Sequence, residues 1–191
     1  MKHVKTLTRM ILPILLLTSC SAKNNGEALA LKIRANLLET TALTLTAVIT
    51  ADYGDRVYDF TIQYTGGADK GDIDILAPQD IAGLKAHVSI SGGTLEYDGA
   101  VLDTGALTKN GLSPAEAVPL LLSQWQRGYI SGCNYENLGD TKALAVTTDI
   151  TETTTQRTWF DVKTLLPLRS ELNENGKMVL ACVFENVTVG P

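Results

Sequence analysis

Apolar positions in this chain recur with two different periods, and the switches between them lay out the fold. Over residues 27–40, Ala28, Leu31, Ala35 and Leu38 return at helical spacing, with Leu29, Ile33 and Leu37 widening the stripe. This predicts a first helix packed on a sheet. The period then drops to two. In 44–53, Leu45, Ala47, Ile49, Ala51 and Tyr53 alternate with Thr44, Thr46, Thr50 and Asp52. In 57–64, Tyr58, Phe60, Ile62 and Tyr64 alternate with Asp59, Thr61 and Gln63. Gly54-Asp55 between the two runs is a hairpin signal. One face of that hairpin is apolar and aromatic, the other polar.

Gly66-Gly67 opens a turn, and Ile73 and Ile75 place 72–76 in a further alternating strand. Pro78 to Leu84 reads as a helical turn or loop. Residues 86–90 and 94–97 form a second hairpin around Ser91-Gly92-Gly93, and Asp98-Gly99 turns the chain into a short strand at 100–103. A second helix starts at Ser113-Pro114-Ala115-Glu116. Ser113 is the N-cap, Pro114 fits the first helical position, and Glu116 closes a capping box. Val118, Leu121, Leu122 and Trp125 follow on one face, and Gly128 is a plausible stop. Pro119 removes one backbone bond, to the Ala115 carbonyl, so a bent helix is expected.

The last third returns to period two. Strands are expected at 142–150, 156–162, 168–172 and 177–189, and Cys133 falls in a loop-like stretch. In the final strand both parities are partly apolar: Met178, Leu180, Cys182 and Phe184 against Val179, Ala181 and Val183. A strand apolar on both faces lies centrally or is covered on its outer side. Helix, four or five antiparallel strands, helix and four antiparallel strands make an α+β domain, a curved antiparallel sheet with helices on one face.

The first 19 residues follow another logic. Lys2, His3, Lys5 and Arg9 precede a short apolar run, Met10 to Leu17, and then Thr18-Ser19-Cys20. A basic leader, a brief apolar core and small residues before a cleavage point mark a secretory signal. The run is too short for the ~20 residues of a membrane span and is broken by Pro13. Leu17-Thr18-Ser19-Cys20 resembles the lipobox of bacterial lipoproteins. That resemblance implies diacylglyceryl and acyl (palmitate-type) chains on Cys20 and cleavage just before it. Such chains contribute ~0.8 kcal/mol per buried CH₂, enough with two or more chains to hold a domain at a membrane. The expected organisation is a signal peptide at 1–19, lipidated Cys20 with a short polar tether to 26, and one domain at 27–191, on the extracytoplasmic face of a bacterial cell membrane.

Loss of Lys2, Lys5 and Arg9 leaves 13 basic against 21 acidic residues, a mature charge of −8. Such a domain repels phosphate backbones, which argues against nucleic acid, and it has no electrostatic grip on anionic lipid. The membrane contact therefore runs through Cys20. Beyond Cys20 the cysteines are Cys133 and Cys182, and either a disulfide or two separate thiols is open.

Catalytic and metal chemistry find little footing. The mature chain has one histidine, His87, in an alternating strand with no G-x-S-x-G nearby. No HExxH or CxxC occurs. Asp69, Asp72 and Asp74 crowd one region without the EF-hand spacing and read as a solvated face. Gly66-Gly67 and Gly92-Gly93 are hairpin turns rather than phosphate loops. No catalytic residue, metal or cofactor is expected. The aromatic strand face is the remaining candidate. Tyr58, Phe60, Ile62 and Tyr64 either line a ligand cavity under a lid of Leu121, Leu122 and Trp125, or form ordinary core with them. A carrier's cavity is only a core left incompletely filled.

Trp159-Phe160-Asp161-Val162-Lys163-Thr164-Leu165-Leu166-Pro167-Leu168-Arg169-Ser170-Glu171 carries a second resemblance. Asp161 caps a turn, and Pro167 opens the next strand where its missing N–H is harmless. This hairpin, with the element order over 26–189, resembles the LolA/LolB-like lipoprotein-carrier superfamily. The resemblance implies an unclosed antiparallel half-barrel with helices packed on its concave face over an apolar cavity. It implies a non-enzymatic protein that binds a hydrophobic ligand or a lipoprotein acyl chain. Lipid-anchored relatives in spore-forming bacteria instead bind a protein partner, a cell-wall hydrolase, in spore formation or germination. Cys20 puts this chain nearer the lipidated members than the soluble carrier.

Overall fold

The computed structural model describes residues 21–89, 92–105 and 114–190. The signal, Cys20 and the Ser113 cap lie outside them. Helix α1 (Ser21–Glu39) leads into six strands: β1 (Leu43–Asp52), β2 (Val57–Gly66), β3 (Lys70–Ala77), β4 (Lys85–Ser89), β5 (Gly92–Tyr97) and β6 (Ala100–Gly105). A 3-10 turn at Gln79–Ile81 links β3 to β4. Helix α2 (Pro114–Arg127) then leads into β7 (Tyr129–Leu138), β8 (Thr141–Asp149), β9 (Thr154–Asp161), β10 (Pro167–Glu174) and β11 (Lys177–Val189). The strands form one open antiparallel sheet in the order β6-β5-β4-β3-β2-β1-β11-β10-β9-β8-β7. Two meanders thus meet at a β1–β11 seam, where Leu43 pairs with Val189 and Ile49 with Cys182.

Alternation sets the inner face. Leu43, Leu45, Ala47, Ile49 and Ala51 of β1 are all buried, while Val48 between them is exposed. One inward row runs Phe60, Ile49, Cys182, Ser170, Thr158, Val146, Cys133 across seven strands. β11 is central, as its two apolar parities require. Cys133 and Cys182 share this row at a distance of four strands. At ~4.8 Å per strand they lie roughly 19 Å apart, beyond disulfide reach, and both are free thiols.

Both helices lie on the inner face. α1 packs against β7, β8 and α2, and α2 against β1, β3 and β4. Each caps the other. Arg34 donates from Nε to the Trp125 carbonyl (3.2 Å) and from Nη2 to the Gly128 carbonyl (2.6 Å). Gln126 returns a bond from Nε2 to the Leu37 carbonyl (2.9 Å). Orphan carbonyls at both helix ends are satisfied in this way. α2 runs unbroken through Pro119 and ends before Gly128.

Three expectations change. α1 opens at Ser21, ahead of Glu27, so the helix takes in 21–26, and a Cβ at Gly26 would stand within 4 Å of Leu144 and Cys133. The buried stripe of α1 is Gly26, Ala30, Ile33 and Leu37; of the predicted stripe Ile33 and Leu37 are buried, whereas Ala28, Leu31, Ala35 and Leu38 face outward. Leu31 and Leu38 are 54% and 56% exposed. The helix is apolar around most of its girth, so packing rather than periodicity chooses the inner side. Last, Tyr129–Leu138 is a strand that escaped prediction, because it is a bulged edge strand with polar residues on both faces.

The outer face carries a small second cluster of Ala143, Ala145 and Trp159. Glu136 accepts from the Trp159 indole N–H (2.9 Å) and pairs with Arg157, whose guanidinium lies over the Trp159 ring. The hairpin that follows forms as expected. Asp161 Oδ1 accepts from the N–H groups of Lys163 (2.6 Å) and Thr164 (3.1 Å), and Pro167 opens β10.

Candidate functional site

The candidate residues on the inner face fall into two groups. Ile62, Tyr64, Leu121, Leu122 and Trp125 are all buried in the main core. The Trp125 ring meets Phe160 and Phe184 edge-on, with centroids 5.7 and 5.4 Å away. Tyr64 donates its hydroxyl proton to the Gly67 carbonyl, and burial pushes its ionisation well above the usual phenol range. Tyr58 and Phe60 differ. They lie further along β2, where Phe60 is half-buried and Tyr58 is 40% exposed. Tyr58 stacks on Phe60 at 6.3 Å and meets the edge of Tyr53 at 5.8 Å. These three rings form an open aromatic step.

Beneath the helices the described side chains pack closely. The void between α1, α2 and the sheet, lined by Ile33, Trp125, Thr148, Gln156, Thr158 and Phe160 among others, holds about 10 Å³. A polar chain crosses its floor. Trp125 Nε1 donates to Thr158 Oγ1 (2.9 Å), Thr158 shares a proton with Ser170 Oγ (2.6 Å), and Gln156 Nε2 donates to Thr158 Oγ1 (3.1 Å) and the Leu121 carbonyl (3.3 Å). Gln156 Oε1 and Thr148 Oγ1 are buried without a protein partner.

Open space lies instead at one end of the sheet. A cleft of about 1130 Å³ is bounded by the α1 C-terminus (Leu38, Thr40, Thr41), the α2 C-terminus (Gln126, Arg127), the β2–β3 turn (Gly66 to Gly71) and the β4–β5 hairpin (Val88, Gly92, Gly93). Asp103 of β6 completes it. Hydroxyls, glycine backbone and charged groups line it together with Leu38, Ala42, Ala68 and Val88. Arg127 pairs with Asp69 (2.9 Å) across the mouth. Gly71 is required here, because a Cβ on it would collide with the Tyr64 ring. By local pattern alone these glycines belong to separate turns. One signal was present: in a meander alternate turns fall at the same end, so the β2–β3 and β4–β5 glycine pairs had to come together.

The remaining polar candidates sit on the outer face of β3, β4 and β5, where Asp72 and His87 also border the cleft. His87 Nδ1 lies 2.6 Å from Asp72 Oδ1, and its Nε2 lies 3.8 Å from Glu96 Oε2. The Asp72 hydrogen bond raises the imidazole above its ordinary value, with Glu96 adding to the effect. Asp74 pairs with Lys85 at 3.8 Å. Thus Asp69, Asp72 and Asp74 each meet a different basic side chain. Among the described residues no group of three His, Cys, Asp or Glu side chains could hold a metal ion. No described helix is long and apolar enough to cross a membrane.

No protein-family model and no curated protein matches the chain. Solved structures do. An uncharacterized conserved protein from Thermus thermophilus aligns over 87% of this chain and 88% of its own, at 10% identity and a TM-score of 0.52. A LolA superfamily protein from Nitrosomonas europaea aligns over 87% of this chain and 94% of its own, at 11% identity and a TM-score of 0.48. A chain from the complex of the CwlD amidase with the GerS lipoprotein of Clostridioides difficile aligns over 84% of this chain and 93% of its own, at 10% identity and 0.44. At such identities the Thermus likeness speaks for the fold alone, and the two below 0.5 carry no further weight. That fold is α+β, an open, curved antiparallel sheet with helices laid on one face.

Proposed function

We propose that this chain is a non-enzymatic lipoprotein, anchored through Cys20 on the extracytoplasmic face of a bacterial membrane, that binds a protein partner of the cell envelope at the open cleft. One contrast carries this reading. The space beneath α2 is about 10 Å³, whereas the cleft is about 1130 Å³. Pockets that enclose small ligands run to roughly 300–1,000 Å³, so nothing of acyl-chain size fits under α2 as it is packed. The cleft has the room, and its lining mixes hydroxyls, carboxylates and glycine backbone with Leu38, Ala42, Ala68 and Val88, so an all-apolar guest would desolvate the polar part without pairing it. A polypeptide segment brings its own donors and acceptors. A protein of this kind works by contact rather than by turnover.

The aromatic step of Tyr53, Tyr58 and Phe60 favours a second reading, a hydrophobic ligand or lipoprotein acyl chain lying along the inner face. Native mass spectrometry of the protein from Ser21 onward, purified from a bacterial host, separates the two. A clean apo mass is expected. A co-purifying mass of a few hundred daltons that disappears on delipidation would overturn the first reading in favour of the second.

A further inference from the structure

Two polar atoms beneath the helices lie outside the paired network around them. Thr148 Oγ1 and Gln156 Oε1 are buried without a hydrogen-bond partner among the described residues, on side chains whose residues are only 3% and 1% exposed. Thr148 of β8 and Gln156 of β9 are direct cross-strand partners, so their Cβ atoms start about 4.5–5.5 Å apart. Both residues line the void of about 10 Å³ under α1 and α2. Counted as space open to a water-sized sphere, roughly 10–15 Å³ is what one buried water occupies.

The network around them has no proton to give. Gln156 Nε2 donates its two hydrogens to Thr158 Oγ1 (3.1 Å) and the Leu121 carbonyl (3.3 Å). Trp125 Nε1 also donates to Thr158 Oγ1 (2.9 Å), which fills both acceptor positions of that hydroxyl and turns its proton to Ser170 Oγ (2.6 Å). Rotating the Gln156 amide would set its oxygen against the Leu121 carbonyl. Arg34, also on the wall of the void, is turned to the Trp125 and Gly128 carbonyls. Ala30, Ile33, Ile130, Val146 and Phe160 supply the apolar part of the wall.

We propose that this void is a binding site for one internal water molecule, held between Gln156 Oε1 and Thr148 Oγ1. The water donates one hydrogen to Gln156 Oε1 and pairs with the Thr148 hydroxyl. With it the polar chain runs without a break from β8 to β10, through Thr148, the water, Gln156, Thr158 and Ser170. A divalent cation does not suit the site, because two neutral oxygens fall short of the six or more that calcium or magnesium takes. The site stands independently of the partner-binding reading.

A crystal structure of the protein from Ser21 onward, at a resolution that shows ordered water, tests the site directly. One water is expected within hydrogen-bond distance of both Gln156 Oε1 and Thr148 Oγ1. Thr148→Val keeps the shape of the side chain and separates the two possibilities in solution. With the water in place, the variant strips it of one partner, so the thermal midpoint is expected to fall by roughly 2–4 °C. Oxygen-17 relaxation dispersion should then count one long-lived water fewer than in the unaltered protein. Without the water, Thr148→Val only removes an unpaired buried hydroxyl, and the midpoint stays or rises. An empty void, a Thr148 hydroxyl bonded directly to Gln156 or to a backbone carbonyl, or a midpoint that does not fall overturns the proposal. If Thr148→Val does not fold, the density in the unaltered chain decides.

Discussion

The indole N–H of Trp125 reaches Thr158 Oγ1 at 2.9 Å, across the joint between α2 and the sheet. It fixes the helix in register with a buried row of hydroxyls, because Thr158 also contacts Ser170 and Gln156. Trp125→Phe keeps a six-membered ring but removes the donor and leaves part of the indole volume empty, so it should cost about 2–3 kcal/mol. Trp125→Ala should cost about 3–5 kcal/mol, the range for buried aromatics. Urea denaturation at constant slope checks both. A Trp125→Ala change of under about 1 kcal/mol would mark the residue as a lid instead of core.

Gly71 and Tyr64 make a second tight joint, at the cleft. Gly71→Ala places a methyl group against the buried Tyr64 ring, whose hydroxyl is held by the Gly67 carbonyl. Overpacking of this kind costs about 1–3 kcal/mol. The thermal midpoint should fall by several degrees, and Gly71→Ala combined with Tyr64→Phe should recover little, since the collision includes ring carbons as well as the hydroxyl.

His87 gives the outer face a dependence on pH. Its folded-state value is raised, first by Asp72 and then by Glu96, so protonation is favoured in the folded chain. The resulting stabilisation is complete below the unfolded value of about 6.5 and is lost as pH rises through the higher folded value. The thermal midpoint should therefore decline slightly on going from mildly acidic to mildly alkaline buffer, the effect being small because these side chains are more than 40% exposed. His87→Gln should flatten that decline. An unchanged slope in His87→Gln would assign it to other groups.

Membrane attachment is predicted to depend on one atom, the sulfur of Cys20. Cys20→Ala should move the protein into the soluble fraction. Persistent association of Cys20→Ala with salt-washed membranes would point to a different anchor.

Much of this architecture was readable from residue order. The β1–β2 hairpin was plain because Leu45, Ala47, Ile49 and Ala51 recur at every second position and Gly54-Asp55 turns them onto Tyr58 to Tyr64. α2 announced its inner face through Val118, Leu121, Leu122 and Trp125, all of which are buried. α1 did not, since leucines at 29, 31, 37 and 38 point around the helix and only the sheet decides which pair is covered. β7 was hidden by its own polarity. The candidate site divided for a similar reason: period two places Tyr58, Phe60, Ile62 and Tyr64 on one face but is silent on how far along the strand the helices reach. The cleft belongs to segments far apart in sequence, and no local pattern marks it beyond its glycines.

The seam between β1 and β11 also bears on how the chain finds its fold. Every other neighbouring pair in the sheet except this one is consecutive in sequence, and can close through a short local turn. The seam joins residues such as Thr44 and Thr188, which are 144 positions apart. Closing a loop of that length costs about 4 kcal/mol of chain entropy before any contact repays it. Two hairpin ladders can thus assemble quickly and independently, while a single long-range encounter turns them into one sheet. That encounter sets the pace, and a destabilised seam would leave both ladders formed with their inner strands bare.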